Sequence, residues 1–255
     1  MITKTGMDIE KLKSQVKDRV GKTVMFKTCS FSSNNAIEKT ETKSDSASGE
    51  YKDYDFVAIV SNALFIDSHN DMHLPKMWRE ESFKDVSYII DHDFAVRSLI
   101  ASPKDLSIKV DSKSWRDLGY DLDGETEVLM FYVKLQDYSN KSFVDAFKSG
   151  VPLQNSVRMK YNDIVLCVPD ENEKEEFSNW NKYFPMVANK DKALEDGYFF
   201  AVKSADLVLE SSCVLRGSNS MTPIMEVQQS YDTGDEPKSN IEKGEKKIAV
   251  WLNLM

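Results

Sequence analysis

Histidine and cysteine are both scarce in this chain, with three of each in 255 residues. Cys29, Cys167 and Cys213 are odd in number and show no Cys-x-x-Cys spacing, which argues against a disulfide framework. Cys167 and Cys213 sit in apolar runs, where a free cysteine behaves as a small buried hydrophobe, so all three are expected reduced and without a catalytic role. Long hydrophobic runs are missing too. No stretch approaches the roughly 18 apolar residues of a membrane span. The opening residues MITKTGMDIEKLKSQVKDRV lack the apolar centre of a secretory signal, so the expectation is an intracellular protein without a membrane partner. Basic excess is also absent. The net charge is -9 and no Lys/Arg cluster stands apart from acidic neighbours, which makes direct nucleic-acid binding a poor expectation.

What remains is a soluble, globular composition, 41% hydrophobic and 29% charged, long enough to bury a sizeable core. Residues 7–20 place Ile9, Leu12, Val16 and Val20 at helical spacing, and 23–31 read as a strand. The polar stretch 38–53 reads as a flexible linker. Strands are expected over 55–66, 85–94, 105–112 and 124–135, then a short helix over 142–150 closed by Gly150. Residues 151–161 and 162–168 suggest a hairpin turning near Asn162-Asp163, and 197–219 suggest two further strands. Between them lies an acidic insert, 170–196, in which Phe177, Trp180, Phe184 and Val187 recur at helical spacing until Pro185 disturbs the helix. This divides the chain into 1–54 (helix, strand and linker), a main domain over 55–229, and a flexible tail over 230–255. Many short strands and few helices predict an α+β fold, a β-rich barrel-like or closed sheet with peripheral helices.

Because a general base working near neutral pH is most often histidine, any hydrolytic chemistry must pass through His69, His73 or His92. His69 and His73, four residues apart with Asp67 and Asp71 before and between them, would share a helix face and could hold a metal. However, Asn70-Asp71 and Leu74-Pro75 argue for a loop there, so no metal or cofactor is expected. His92 ends an apolar run and is flanked by Asp91 and Asp93, which suits either a catalytic side chain or a half-buried histidine paired with an aspartate. Ser156 follows Gly150 and Pro152 at a helix-to-strand turn. It is a turn residue unless a base reaches its hydroxyl and backbone N–H groups can receive an oxyanion. Glu210 closes ADLVLE and is either an edge carboxylate or a group that orients a histidine.

Taken in order, these segments resemble the prohead (head maturation) serine proteases of tailed phages, which are related in fold to the herpesvirus assemblins. The resemblance is carried by Asp91-His92-Asp93 at a strand end, by FVDAFKSGVPLQNSVRM around Ser156, and by Glu210-Ser211-Ser212-Cys213-Val214 leading to Ser218-Asn219. Upstream, DSHNDMHLPKMW is similar to a loop where the family has an acidic stretch, a Pro-Gly and an aromatic. The likeness spans roughly residues 55–225 through short motifs. It implies a prohead protease/assemblin-like fold and a catalytic set of His92 as general base, Ser156 as nucleophile and Glu210 as the group holding the imidazole. The implied partners are scaffolding protein and major capsid protein, with a homodimer implied by the assemblins. The implied setting is the host cell cytoplasm, inside the prohead or virion. Self-cleavage is the usual companion activity, and the linkers 38–53 and 230–247 suit it.

The chain departs from the family pattern at three places. Arg158 stands where a glycine follows the nucleophile by two residues, Arg97-Ser98-Leu99 replace an Ile-Gly, and Gly217 replaces a proline. Arg158 could crowd the oxyanion position or supply charge to it. An alternative reading is therefore a catalytically inactive protease-fold protein serving as a structural or adaptor component of the virion. A third is an unrelated β-rich binding domain.

Overall fold

A computed structural model describes residues 8–24 and 53–226. The linker expected over 38–53, the strand beyond Val24, Cys29 and the tail expected from 230 lie outside the described residues, except that Asp53 is a turn residue. The architecture is strand-rich α+β, a curled half-barrel sheet with a few helices. Its strands are β1 (Thr23–Val24), β2 (Phe56–Asn62), β3 (Asp71–His73), β4 (Ser87–Ile90), β5 (Leu99–Ala101), β6 (Leu106–Ser114), β7 (Glu125–Val133), β8 (Gln154–Cys167), β9 (Phe199–Val214) and β10 (Ile224–Glu226). The helices are α1 (Ile9–Arg19), α2 (Lys141–Lys148), α3 (Lys174–Tyr183) and α4 (Lys190–Asp196). One sheet has the order β1-β8-β9-β4-β5 with β3 added parallel to β9, and the other has the order β10-β2-β7-β6.

Strand β2 is buried along its whole length because it lies between two apolar layers. Alternation sends Phe56, Ala58 and Val60 inward against Tyr88, Ile100, Phe131 and Phe143 of α2. The intervening Val57 and Ile59 face Trp115, Met130 and Tyr132 on the other side. Helix α1 begins at Asp8, whose carboxylate accepts the Glu10 N–H, and it lays Ile9 and Leu12 on β8 and β9 residues such as Ile164 and Phe200. The amino-terminal segment is therefore packed onto the body from Ile9 to Val24, with Thr23 and Val24 paired to Lys160 and Met159. Trp180, Tyr183 and Val187 of the acidic insert close over Cys167 and Phe199, so α3 and α4 cap the connection from β8 to β9.

Two expectations need correction. The hairpin expected at Asn162-Asp163 is absent, because β8 runs unbroken from Gln154 to Cys167. Tyr161 pairs with Ala205 and Asp163 with Ser204, leaving Asn162 as one extra residue, a bulge rather than a turn. The tight hairpin turn needs residues at ease with positive φ, of which Asn-Gly is the strong signal, and no glycine follows Asn162. Likewise, 197–219 hold one long strand, β9, not two. Its irregularity is a second bulge. Val157 pairs with Ser211 and Met159 with Leu207, so Val208, Leu209 and Glu210 together oppose Arg158, and Leu209 takes a φ of 64°.

Candidate active site

Three adjacent strands, β8, β9 and β4, assemble the site. Ser156 of β8 lies opposite Ser212 of β9, and Ser212 lies beside Ile89 of β4, which pairs parallel to β9. Glu210 and Ser212 are two apart on β9 and so share one face, while Asn155 and Ser211 alternate to the other. His92 reaches this face from the turn that ends β4. Asp91 and His92 both adopt positive φ, 52° and 55°, and the Asp93 N–H closes the turn on the Ile90 carbonyl at 2.9 Å. The Asp91 N–H is held by the Cys213 carbonyl at 3.0 Å. Two consecutive non-glycine residues in the left-handed region store of order 1–3 kcal/mol each, a strain found mostly at functional sites.

The structure brings Ser156, His92 and Glu210 into one hydrogen-bonded line. His92 Nε2 lies 2.9 Å from Ser156 Oγ, and its Nδ1 lies 2.7 Å from Glu210 Oε1. All three are buried, with Glu210 fully so. A carboxylate only accepts, so Nδ1 carries the ring proton and Nε2 is left to accept the Ser156 hydroxyl proton. The second carboxylate oxygen, Oε2, accepts from Ser212 Oγ at 2.7 Å, and Ser212 Oγ in turn accepts the backbone N–H of His92 at 2.9 Å. A serine hydroxyl, an imidazole and a carboxylate in this order are the groups that a nucleophile, a base and an orienting partner require. Chemically, the line can withdraw the serine proton and stabilise the imidazolium that results.

The strand that carries Ser156 is pinned from its other face. Asn155, 1% exposed, accepts from Tyr88 Oη at 2.5 Å and donates to the carbonyls of Ile59 and Thr222 at 3.1 and 3.0 Å. Thr222 Oγ1 takes the Asn155 N–H at 3.1 Å and returns its own proton to the Asn155 carbonyl at 2.9 Å. The N–H of Asn155 is thus already donated and does not serve as an oxyanion donor. Gly217 lies so close that a Cβ there would stand 2.6 Å from the Asn155 carbonyl oxygen, which explains a glycine at this position. Arg158 sets its guanidinium over the Phe94 ring, 5.1 Å from the centroid.

His69 and His73 stand apart from this line. His73 is on β3, not on a helix or loop, and its Nδ1 lies within hydrogen-bond reach of Ser61 Oγ at 2.8 Å. Burial holds its imidazole down to about 4, so it stays neutral. Asp71 forms an ion pair with Arg19 of α1 at 2.6 Å and accepts from Tyr161 Oη. Even so, burial, with the neighbouring Asp67 carboxylate, lifts Asp71 to about 6. Among the described residues, no group of three or more His, Cys, Asp or Glu side chains is placed to hold a metal ion. Cys213 and Cys167 are free and buried, and burial raises both thiols, Cys213 to about 12. Reading the sequence residue by residue missed Ser212, Asn155 and Thr222. For Ser212 a signal was present, since the Glu-x-Ser spacing places both side chains on one strand face.

Comparison with protein-family models, with curated proteins and with solved structures finds no match to this chain. No helix among the described residues is long and apolar enough to cross a membrane.

Proposed function

We propose that this chain is a serine endopeptidase of tailed-phage head maturation that cleaves scaffold or capsid protein segments inside the prohead and also cleaves itself. The observation that carries the enzymatic part is the position of His92 between Ser156 at 2.9 Å and Glu210 at 2.7 Å. In the reaction, His92 Nε2 takes the Ser156 proton as Oγ bonds to the scissile carbonyl carbon. The imidazolium then hands that proton to the leaving amine as the C–N bond breaks, and water repeats the cycle on the acyl-enzyme. Glu210, fully desolvated, holds the ring and balances its positive charge. The substrate, the prohead setting and a homodimer come from the resemblance of the three ordered motifs to prohead proteases and assemblins. The α+β, strand-rich fold is compatible with that resemblance.

Burial of Ser156, 5% exposed, favours a second reading, that of a catalytically inactive protease-fold protein with a structural or adaptor role in the virion. Co-expression with the scaffolding or major capsid protein separates the two. The protease reading expects cleavage products that vanish in Ser156→Ala and in His92→Ala. Persistence of cleavage in Ser156→Ala would reassign the nucleophile, and no cleavage by the wild type would favour the structural role.

A further inference from the structure

We propose that Ser212 is a positioning residue of this site, one hydroxyl that fixes the Glu210 carboxylate against the His92 imidazole and anchors the turn carrying it. The inference rests on the reading of Ser156, His92 and Glu210 as a triad. A hydroxyl has one proton. Because the His92 backbone N–H is itself a donor to Ser212 Oγ, that proton has to be given to Glu210 Oε2. Oε2 is thereby an acceptor, and Oε1 is left to accept Nδ1–H of the imidazole. The lone pair then falls on Nε2, facing Ser156 Oγ.

Three of these bonds close a ring from Ser212 to the carboxylate, through the imidazole to its own backbone, and back to Ser212. Each link answers a buried polar group that would otherwise be unpaired, since Glu210 and Ser212 are fully buried and the His92 side chain is 1% exposed. The ring also bears on the backbone. The His92 N–H sits in a turn with two positive-φ residues, and its bond to Ser212 helps keep that sparsely populated conformation in place. Ser212 touches no reacting atom. It acts through Glu210 and through the turn.

The test uses the full chain with Ser212→Ala, Ser212→Thr and Ser212→Cys, the last keeping the side-chain outline with a weak donor. Two readouts are taken: the rate at which a fluorophosphonate probe labels the protein, and the low-field proton NMR signal of His92 Nδ1–H. Ser212→Ala and Ser212→Cys are expected to slow labelling by about ten- to a hundredfold, the range in which groups that orient a functional side chain act. They should also shift or broaden away the Nδ1–H signal. Ser212→Thr, which restores a hydroxyl, should recover both readouts to within a few fold. The proposal is overturned if Ser212→Ala or Ser212→Cys labels at the wild-type rate with its Nδ1–H signal unchanged. It is equally overturned if Ser212→Thr folds and is as impaired as the other two. A wild type inert to the probe would count against the triad reading alone. The NMR signal would still decide for Ser212, lost in the alanine and cysteine variants and kept in threonine if the proposal holds, unchanged throughout if it does not.

Discussion

Replacing Glu210 by glutamine changes no outline but removes one acceptor and one charge. Both carboxylate oxygens accept in the native site, Oε1 from His92 and Oε2 from Ser212. Glutamine offers one acceptor oxygen and one NH₂, so one of these bonds must fail. If the NH₂ faces His92, Nδ1 has to accept, and the ring proton moves to Nε2, where it points at Ser156 Oγ. The base is then lost. If the oxygen faces His92, the Ser212 proton meets an NH₂ in a fully buried pocket, which disfavours that orientation. The inverted tautomer is therefore expected to dominate. The loss in rate should approach about 10⁴-fold, as when the orienting carboxylate of a serine–histidine pair becomes an amide. That corresponds to about 5.5 kcal/mol of transition-state stabilisation. Fluorophosphonate labelling followed by intact mass measures it, with circular dichroism to show that the fold is kept. Labelling of Glu210→Gln within threefold of wild type would refute the reasoning, because it would mean that the carboxylate does not set the state of the imidazole.

Three further outcomes follow from the packing around the site. Asn155→Ala leaves the carbonyls of Ile59 and Thr222 without its amide and should cost about 2–4 kcal/mol, read as a lower urea midpoint. Arg19→Met leaves the buried Asp71 carboxylate without its cation and should destabilise by about 2–4 kcal/mol at pH 8 but less at pH 5, where Asp71, lifted to about 6, is protonated. A penalty independent of pH in urea melts would contradict this. His73, held at about 4 when folded against about 6.5 unfolded, keeps its full contribution above pH 6.5. As the pH falls from 6.5 to 4 the unfolded chain takes up the proton first, so stability is lost across that window by up to about 3 kcal/mol. A folded His73→Gln variant should lose less over the same window, and equal losses in the two proteins would count against the buried, neutral assignment.

Much of the strand content was legible because alternation and apolar runs report burial directly. Phe56 to Asn62, Leu106 to Ser114 and Glu125 to Val133 are strands where the pattern expected them, and Gly150 ends α2 as the expected left-handed stop. What stayed hidden was pairing. Asn162 reads locally as a turn, yet β9 lies alongside β8 and absorbs it as a bulge. Leu209, a γ-branched apolar residue, gives no local sign that it will take a φ of 64° and be 53% exposed. The parallel pairing of β4 with β9 brings residue 92 to residue 210, a contact between segments 118 positions apart that no local period encodes. His92, Ser156 and Glu210 were individually weak signals, and only their ordered motifs singled them out. Ser212 stood in the Glu-x-Ser motif without a role, because a serine two residues after a glutamate is ordinary until the strand register puts both over one histidine.

The proposed chemistry requires Ser156 to be a nucleophile activated by His92. The most direct measurement is peptide mapping by mass spectrometry of the full chain after exposure to a fluorophosphonate. A single adduct on the peptide carrying Ser156, formed by the wild type and abolished in His92→Ala, is the expected result. An adduct on another serine, or equal labelling of Ser156 with and without the imidazole, would contradict it.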